Sequence, residues 1–296
     1  MLTSVADIAE QVQKVWAPTF IPELKENDIL STLVNKNFDG EIRQLNDTVY
    51  ISQIKRAAAQ RKTVGAGHES FSSQKLQTAR VAIVADQVIT ASFKMDSLIA
   101  LQSQLGNPDG EQAIKNALLE GIQIELNNYL YSKVAPKTSA PSHKISGVTN
   151  FDGSQLNSIR ELASKAKWMK EKGWWLLTSP SYSTDLLNSV TIVSKDYVGD
   201  EAPVIGGQVV NKRFGFNILE DNSDGLLSLS PANAGTDCAL AFHPDFLHLV
   251  MQKAPEIQIS SLHSQEQHGY LMSVSIVCGA ALGIEGDKKH IQIYNT

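Results

Sequence analysis

Between Asn107-Pro108-Asp109-Gly110 and Pro136 the chain carries its longest uninterrupted helical pattern. From Glu111 to Val134, the residues Ala113, Ile114, Ala117, Leu118, Ile122, Leu126, Tyr129, Leu130 and Val134 recur at three- and four-residue spacing. That spacing lays them along one stripe of a helix of about six turns. Pro136 marks its end, because proline neither donates the backbone hydrogen bond nor continues the helix. A helix of this length with one apolar face has to lie along a core. Gly121 interrupts it at a cost of about 1 kcal/mol relative to alanine, and the expectation is that another backbone approaches there. No nucleophile or charged cluster points from this helix toward a site, so its meaning is architectural.

The 296 residues are enough for one large domain or two modest ones, with an apolar content ordinary for a globular chain. The net charge of −5 argues against a general nucleic-acid binder. Cys238 and Cys278 are too few and too distant for a disulfide framework or a cysteine zinc site, and read as buried free thiols in a reducing compartment. The N-terminus lacks the basic start and apolar core of a signal peptide. The longest apolar run, Val274 to Ile284, is broken by Ser275 and too short to span a bilayer. These features place synthesis in the cytosol.

Residues 4 to 16 form a short amphipathic pattern, with Val5, Ile8, Ala9, Val12, Val15 and Trp16 on one face and Ser4 with Asp7 as a capping box. Pro18 and Pro22 break it, and Leu24, Ile29, Leu30, Leu33 and Val34 form a second stripe. A helix this short is marginal in isolation, so an arm carrying such large apolar residues needs a surface, which another subunit could supply. From Glu41 the period changes to two: Val49 and Ile51 alternate with Thr48 and Tyr50, and a second run from Leu76 to Phe93 carries Val81, Ile83, Val88 and Ile89. Gly65 and Gly67 lie in the polar stretch between them, which predicts a long β-hairpin with a flexible tip. Between Lys55 and Arg80 stand six cations, Lys55, Arg56, Arg61, Lys62, Lys75 and Arg80, against one acid, Glu69. A stretch so basic and poor in large apolar groups adds little core, and is expected to project onto something acidic.

Lys137 to Gly153 reads as a junction rich in Ser, Thr, Pro and Gly. Beyond it, Ser154 is positioned to cap a helix bearing Leu156, Ile159, Leu162, Ala163 and Ala166 that ends at Gly173. Trp174 to Leu177 is a buried strand, and Ser179-Pro180 opens a helix through Leu187. Strand-like pieces follow over Val190 to Val210 and Arg213 to Leu219. Pro244 is expected to open a helix packed through Phe246, Leu247, Val250 and Met251. Ile257 to the C-terminus reads as three or four strands with turns at Gly269, Gly283 and Gly286. The sum is an α+β chain without internal repeats.

Motifs of chemistry are scarce. There is no phosphate-cradling G-x-x-x-x-G-K-[ST] loop, no H-E-x-x-H and no paired C-x-x-C. Ser179 lies between a strand and a helix, but its neighbours Thr178, Pro180 and Ser181 stand where a nucleophile elbow needs glycine; a helix cap is the better reading. His243, His248, His263 and His268 invite a metal, yet within each pair the spacing of five turns the rings apart on a helix and no cysteine or carboxylate pattern completes a site. Glu220, Asn222, Asp224 and Gly225 partly fit a calcium loop. Pro231 stands where the bidentate Glu should be, which favours an ordinary acidic turn. The basic hairpin holds one aromatic, Phe71, so contact with an acidic protein surface is favoured over nucleic acid.

Trp16-Ala17-Pro18-Thr19-Phe20-Ile21-Pro22-Glu23-Leu24, then Leu33-Val34-Asn35, Phe38-Asp39-Gly40-Glu41-Ile42 and Asn46-Asp47-Thr48-Val49-Tyr50-Ile51 together resemble the opening of many tailed-bacteriophage major capsid proteins. Asn46 stands where that family usually has glycine. The resemblance continues through Phe93-Lys94-Met95-Asp96, the long helix, Trp174-Trp175-Leu176-Leu177-Thr178-Ser179-Pro180, Phe214-Gly215-Phe216 and Ala241-Phe242-His243, and so covers nearly the whole chain. It implies the phage major capsid fold shared with encapsulins. Residues 1–41 would be an N-terminal arm and 42–93 an extended β-hairpin loop. Residues 94–150 with 232–296 would form a peripheral domain built on the spine helix 111–134, and 151–231 an axial domain.

The resemblance further implies a shell subunit with no catalytic residue, metal or cofactor. It would assemble with itself as hexamers and pentamers, through Lys55, Arg56, Arg61, Lys62, Lys75 and Arg80 of the loop and Val12, Trp16 and Phe20 of the arm. Expected partners are a separate scaffolding protein, a portal at one vertex, packaged dsDNA held weakly and without sequence preference, and in some shells a decoration protein; no membrane is expected. The expected place is the virion capsid, after assembly in the host cytoplasm. The alternatives are an encapsulin-type cellular compartment with the same fold, and an α+β enzyme whose basic hairpin closes over an anionic substrate.

Overall fold

The computed structural model describes residues 26, 28–37, 48–64, 73–97, 108–134, 143–189, 192, 204–205, 208–209, 214–230, 237–263 and 267–295. In chain order these give α1 (Ile29–Leu33), β1 (Thr48–Ile54), β2 (Thr78–Val84), β3 (Gln87–Met95), the long helix α2 (Pro108–Val134), β4 (Lys144–Ser146) and α3 (Gly153–Lys165). There follow β5 (Trp174–Thr178), α4 (Pro180–Asn188), the short β6 (Val204–Ile205) and β7 (Gln208–Val209), β8 (Phe216–Glu220) and α5 (Asp224–Leu227). The chain closes with β9 (Cys238–Phe242), β10 (Leu247–Ser261), β11 (Tyr270–Leu282) and β12 (His290–Tyr294). The architecture is α+β, as the mixed periodicity predicts. The arm residues Val12, Trp16 and Phe20, the capping box, the Phe38-to-Asp47 motif residues and the hairpin tip with Gly65, Gly67 and Phe71 lie outside the described residues.

The chain divides into two compact units. One comprises Met1–Lys25, Ala91–Glu120 and Ile257–Val274. Its described part includes the turn from β10 to β11, closed by Leu262 N–H donating to Gly269 O at 3.0 Å. Gly269 has φ +152, and a side chain there would strike the Met95 carbonyl, so only glycine serves.

The other unit, Glu26–Thr90, Gly121–Glu256 and Ser275–Thr296, is organised by a five-stranded sheet in the order β4-β12-β9-β5-β8. The outer pairs β4/β12 and β5/β8 are parallel, and the inner pairs β12/β9 and β9/β5 antiparallel. Register aligns Ile218, Leu176, Ala241 and Ile291 in one row across four strands. Because side chains alternate along a strand, this row and the neighbouring Ala239 and Ile293 share a face. On that face they form one cluster with Leu156, Ile159 and Ala163 of α3 and Tyr182 and Leu186 of α4, all fully buried. The opposite face meets the end of α2, where the buried Gln292 side chain donates to Val134 O at 3.3 Å. It also meets α5, whose Leu226 carbonyl accepts from the Cys238 thiol at 3.1 Å. The sheet is thus covered on both sides, which explains why β9 and β12 are buried at every position.

Four local expectations are corrected. Asp152 caps α3, not Ser154: its carboxylate accepts from Ser154 N–H at 2.8 Å and Gln155 N–H at 3.3 Å, and an aspartate one turn before the apolar run serves as well as a serine. The helix stops at Lys165, with Lys167 at φ 61, well before Gly173, whose φ of 72 instead turns the chain into β5. Gly121 is exposed, and among the described residues no backbone beyond its own helix comes within 4 Å of a Cβ placed there. Pro244 opens a turn and then strand β10, because Phe246, Leu247, Leu249 and Val250 are all buried and a continuous apolar run does not distinguish helix from strand.

The α2 stripe turns inward over most of its length: Leu118, Ile122, Leu126, Leu130 and Val134 are buried and Ala113, Ile114 and Tyr129 half-buried, but Ala117 is exposed. Tyr131, outside the predicted stripe, is buried as well and donates its hydroxyl to the carboxylate of the fully buried Asp221 at 2.6 Å. Burial pushes both groups upward, with the neighbouring charge adding to the effect on Tyr131. Removing the donor leaves a buried carboxyl short of a partner, which costs about 1–3 kcal/mol. Tyr131→Phe is therefore expected to lower stability by about that amount, read as a fall in the urea midpoint at unchanged m-value.

Candidate assembly interface

The predicted hairpin is formed by β1 and β2, paired from Thr48↔Val84 to Ile54↔Thr78. Lys55 N–H to Gln77 O at 2.9 Å extends the ladder by one step. The expected second run, Leu76 to Phe93, is divided at Ala85-Asp86 into β2 and β3. The base is anchored on one face, where Val49, Ile51, Ile83 and Ala85 pack with Val250, Val277 and Ala281. Gly279 permits this seat, since any side chain there would collide with the Val84 carbonyl. Beyond the base the described residues of the hairpin add no core. All six cations, Lys55, Arg56, Arg61, Lys62, Lys75 and Arg80, are exposed.

Charge is only part of this surface. Tyr50, Ile54, Val64 and Leu76 are 59%, 66%, 86% and 75% exposed, which corrects the reading of the hairpin as poor in large apolar groups. Strict alternation was the available signal: Tyr50 and Ile54 fall on the face opposite Val49 and Ile51. Arg80 stacks over the Tyr50 ring at 5.2 Å, joining cation and apolar patch. A surface mixing aromatic, aliphatic and cationic groups has the composition of a protein interface.

The remaining candidates resolve into structure. Ser179 sits at the N-cap position of α4, but its hydroxyl makes no cap bond and accepts from Cys238 N–H at 3.4 Å. His243 and His248 are buried, whereas His263 and His268 are exposed. Among the described residues no group of three or more His, Cys, Asp or Glu could hold a metal. In the acidic turn, Asp221 is committed to Tyr131 and to Ser223 N–H at 2.9 Å, and Ser223 caps α5. Burial pushes the free thiols of Cys238 and Cys278 up to about 12 and about 11, leaving them protonated. No helix among the described residues is long and apolar enough to cross a membrane.

No family model matches the sequence. No curated protein matches it either. Solved structures do: the capsid structure of the cyanophage P-SCSP1u superposes with a TM-score of 0.73 at 11% identity, covering 98% of this chain and 94% of that one. This chain has the fold of phage capsid proteins. A structure from Mycobacterium phage Che8 matches at TM-score 0.73 and 17% identity over 95% of this chain and 96% of its own. The mature capsid of bacteriophage PhiM1 matches at 0.68 and 14% over 96% and 92%. The matches cover 95–98% of this chain, so the capsid fold accounts for nearly its full length, as the resemblance implies.

Two expectations follow from the capsid-fold geometry. Gly279→Val should unseat the hairpin base, costing about 1–3 kcal/mol by overpacking and raising hydrogen exchange across Thr48–Ile54. Burial holds His243, His248 and His290 below their ordinary value of 6.5, so the folded chain favours their neutral forms. Their contribution is complete above 6.5 and is lost as pH falls from there toward the depressed folded values, because the unfolded chain protonates first. Urea midpoints should therefore drop between pH 7.5 and pH 5, and by less in His290→Asn.

Proposed function

We propose that this chain is the major capsid protein of a tailed phage, assembling as hexamers and pentamers into an icosahedral shell around the dsDNA genome. The observation that carries this reading is the nearly full-length match to phage capsid structures, 98% of this chain against 94% of the cyanophage chain. The hairpin supports it. A β-ribbon anchored only at its base, exposing Ile54, Leu76 and six cations, has surface to bury and no part of its own described chain over its outer length.

In this reading residues 42–93 are the extended loop, and Lys55, Arg56, Arg61, Lys62, Lys75 and Arg80 contact a neighbouring subunit. Residues 1–41 are an arm whose Val12, Trp16 and Phe20 lie on another copy. Residues 94–150 and 232–296 form the peripheral domain, and 151–231 the axial domain, whose sheet β9 and β12 complete. The role is structural and non-catalytic. Scaffolding protein, a portal at one vertex, a decoration protein where the shell carries one, and weakly held DNA are the proposed partners. The virion is the final location, reached through assembly in the host cytoplasm. Each contact is modest, and strength comes from repetition around closed symmetry.

Electron microscopy of the purified chain, alone and with a scaffolding protein, tests the proposal. Closed shells or rings of five or six are expected, and a lasting monomer in both conditions would refute it. Arg56→Glu with Arg61→Glu and Lys62→Glu should abolish these assemblies while leaving the circular dichroism spectrum and melting temperature of the monomer unchanged. Normal shells from that variant would remove the hairpin from the interface.

A further inference from the structure

Inside the larger unit an open cleft of about 1240 Å³ runs between the hairpin and the turns that follow α3 and β11. Lys55, Arg56 and Arg80 stand on the hairpin wall. Lys165, Lys167, Lys288 and Lys289 stand on the facing wall. Among the described residues two acids line it, Asp245 and Glu285. Asp245 is already bound to Lys172, and although burial works to raise its carboxyl, that lysine together with His243 and Lys289 holds it below the usual range. Two basic walls face each other with little negative charge between them. Like charges so arranged repel, and an anionic occupant turns the repulsion into attraction.

The floor is not purely polar. Met169, 57% exposed, and Ile54, 66% exposed, both line the cleft beside Trp168. Trp168 is held rigidly, its indole N–H donating to Lys288 O at 2.7 Å. Exposed apolar side chains set among cations favour a protein segment over a nucleic-acid backbone, which would want charge without the methionine and isoleucine. The volume exceeds the 300–1,000 Å³ or so of drug-sized sites, and suits a length of polypeptide.

We propose that this cleft receives an acidic face of a second copy of the chain, the one built by Glu26 and Asp28 with Glu220 and Asp224. Those acids come together because the Glu26 carboxylate accepts from Asp224 N–H at 3.3 Å. Glu26 to Asn35 and Phe214 to Ser230 contain no lysine or arginine, the nearest in sequence being the flanking Lys25, Lys36 and Arg213. The cleft and the acidic face are different patches, which makes the contact heterologous. Such a contact propagates head to tail and closes into a ring when the rotation permits. The inference rests on the capsid reading and deepens it: Lys167 and Lys288, outside the hairpin, become assembly residues.

The test is a charge exchange on the full chain. One variant carries Lys167→Glu and Lys288→Glu, and the other Glu220→Lys and Asp224→Lys. Native mass spectrometry reads the rings, and circular dichroism with thermal melting checks each fold. Each variant alone should lose at least tenfold in ring formation. Mixed in equal amounts they should form rings again, strictly alternating, and therefore with six members and never five. All four substitutions in one chain should restore both ring sizes. Normal rings from the Lys167→Glu/Lys288→Glu variant, or failure of the folded variants to recombine, would overturn the proposal while wild-type rings kept the capsid reading intact. A wild type that never leaves the monomer overturns both. If wild-type chain binds a 20-base-pair duplex through Lys167 and Lys288 while the charge exchange leaves ring formation unaltered, the cleft belongs to nucleic acid and the proposal fails.

Discussion

A carboxylate with no exposure to solvent is stable only if hydrogen bonds replace the water it has lost. Asp221 meets that condition through two donors, the Tyr131 hydroxyl at 2.6 Å and the Ser223 backbone at 2.9 Å, and much of the larger unit is hung on the arrangement. Tyr131 belongs to the long helix and Asp221 to the end of β8. Ser223 caps α5, and the α5 carbonyl of Leu226 takes the thiol of Cys238 on β9. One buried pair therefore fixes helix, strand end, cap and sheet face against each other. Gly225 completes it: a Cβ at that position would come within 2.5 Å of the Tyr131 ring, so the ring packs directly against a residue with no side chain. The calcium-like spacing of this loop, Glu220, Asn222 and Asp224, brackets Asp221. Its most buried carboxylate already serves the fold.

The hairpin obeys the opposite rule. Its base is sealed by Ile83 and Ala85, 1% and 3% exposed, yet its strands carry Tyr50 and Ile54 outward within a few residues of that seal. A two-stranded ribbon is marginal in water without a hydrophobic face to rest on, so the ladder from Thr48 to Ile54 draws its order from the anchored end. The outer length gains stability only when another surface covers it. In the proposed capsid role that leaves the ribbon with surface to offer a neighbour, which a ribbon satisfied by its own chain would lack.

Much of this was legible in the sequence because periodicity reports burial. The α2 stripe, the β1 alternation, the buried Trp174-to-Leu177 strand and the loss of apolar anchoring beyond the hairpin base follow from spacing alone. Where the reading failed, one pattern served two structures. Phe246 to Val250 is apolar at helical and at strand spacing, and pairing with distant chain selects the strand: β10 lies beside β11, and Asn35, two hundred residues away in sequence, donates to Leu247 O at 3.2 Å and accepts from Leu249 N–H at 3.0 Å. Ser154 and Asp152 are both competent caps, and the backbone φ/ψ at Asp152 decides between them. Gly121 looked like a contact because its helix cost implies a reason, but a glycine on an exposed face carries that cost without one. Tyr131 was invisible for a different cause: its value lies in a polar bond to Asp221, and no apolar period announces a hydrogen bond. The facing wall of the cleft was hidden in the same way, since Lys167 and Lys288 become neighbours of the hairpin only through the fold.

The chain thus separates its stabilities. The five-stranded sheet is covered on both faces, and the buried Tyr131 hydroxyl, Asp221 carboxylate and Gln292 amide nitrogen around it find their partners within the chain. The hairpin and the basic cleft cannot reach their lowest free energy alone, the one because its apolar groups stay wet and the other because its two walls repel. Exposed ion pairs contribute only about 0–1 kcal/mol each, so a single such contact would not hold two subunits together. In the proposed shell every subunit would give one hairpin and receive another around a closed ring, and the last contact would form at the high effective concentration set by those already made. Weakness of the individual contact would then have a use. Subunits bound in the wrong register would leave before such a ring closed, and the proposed shell would gather its strength from number.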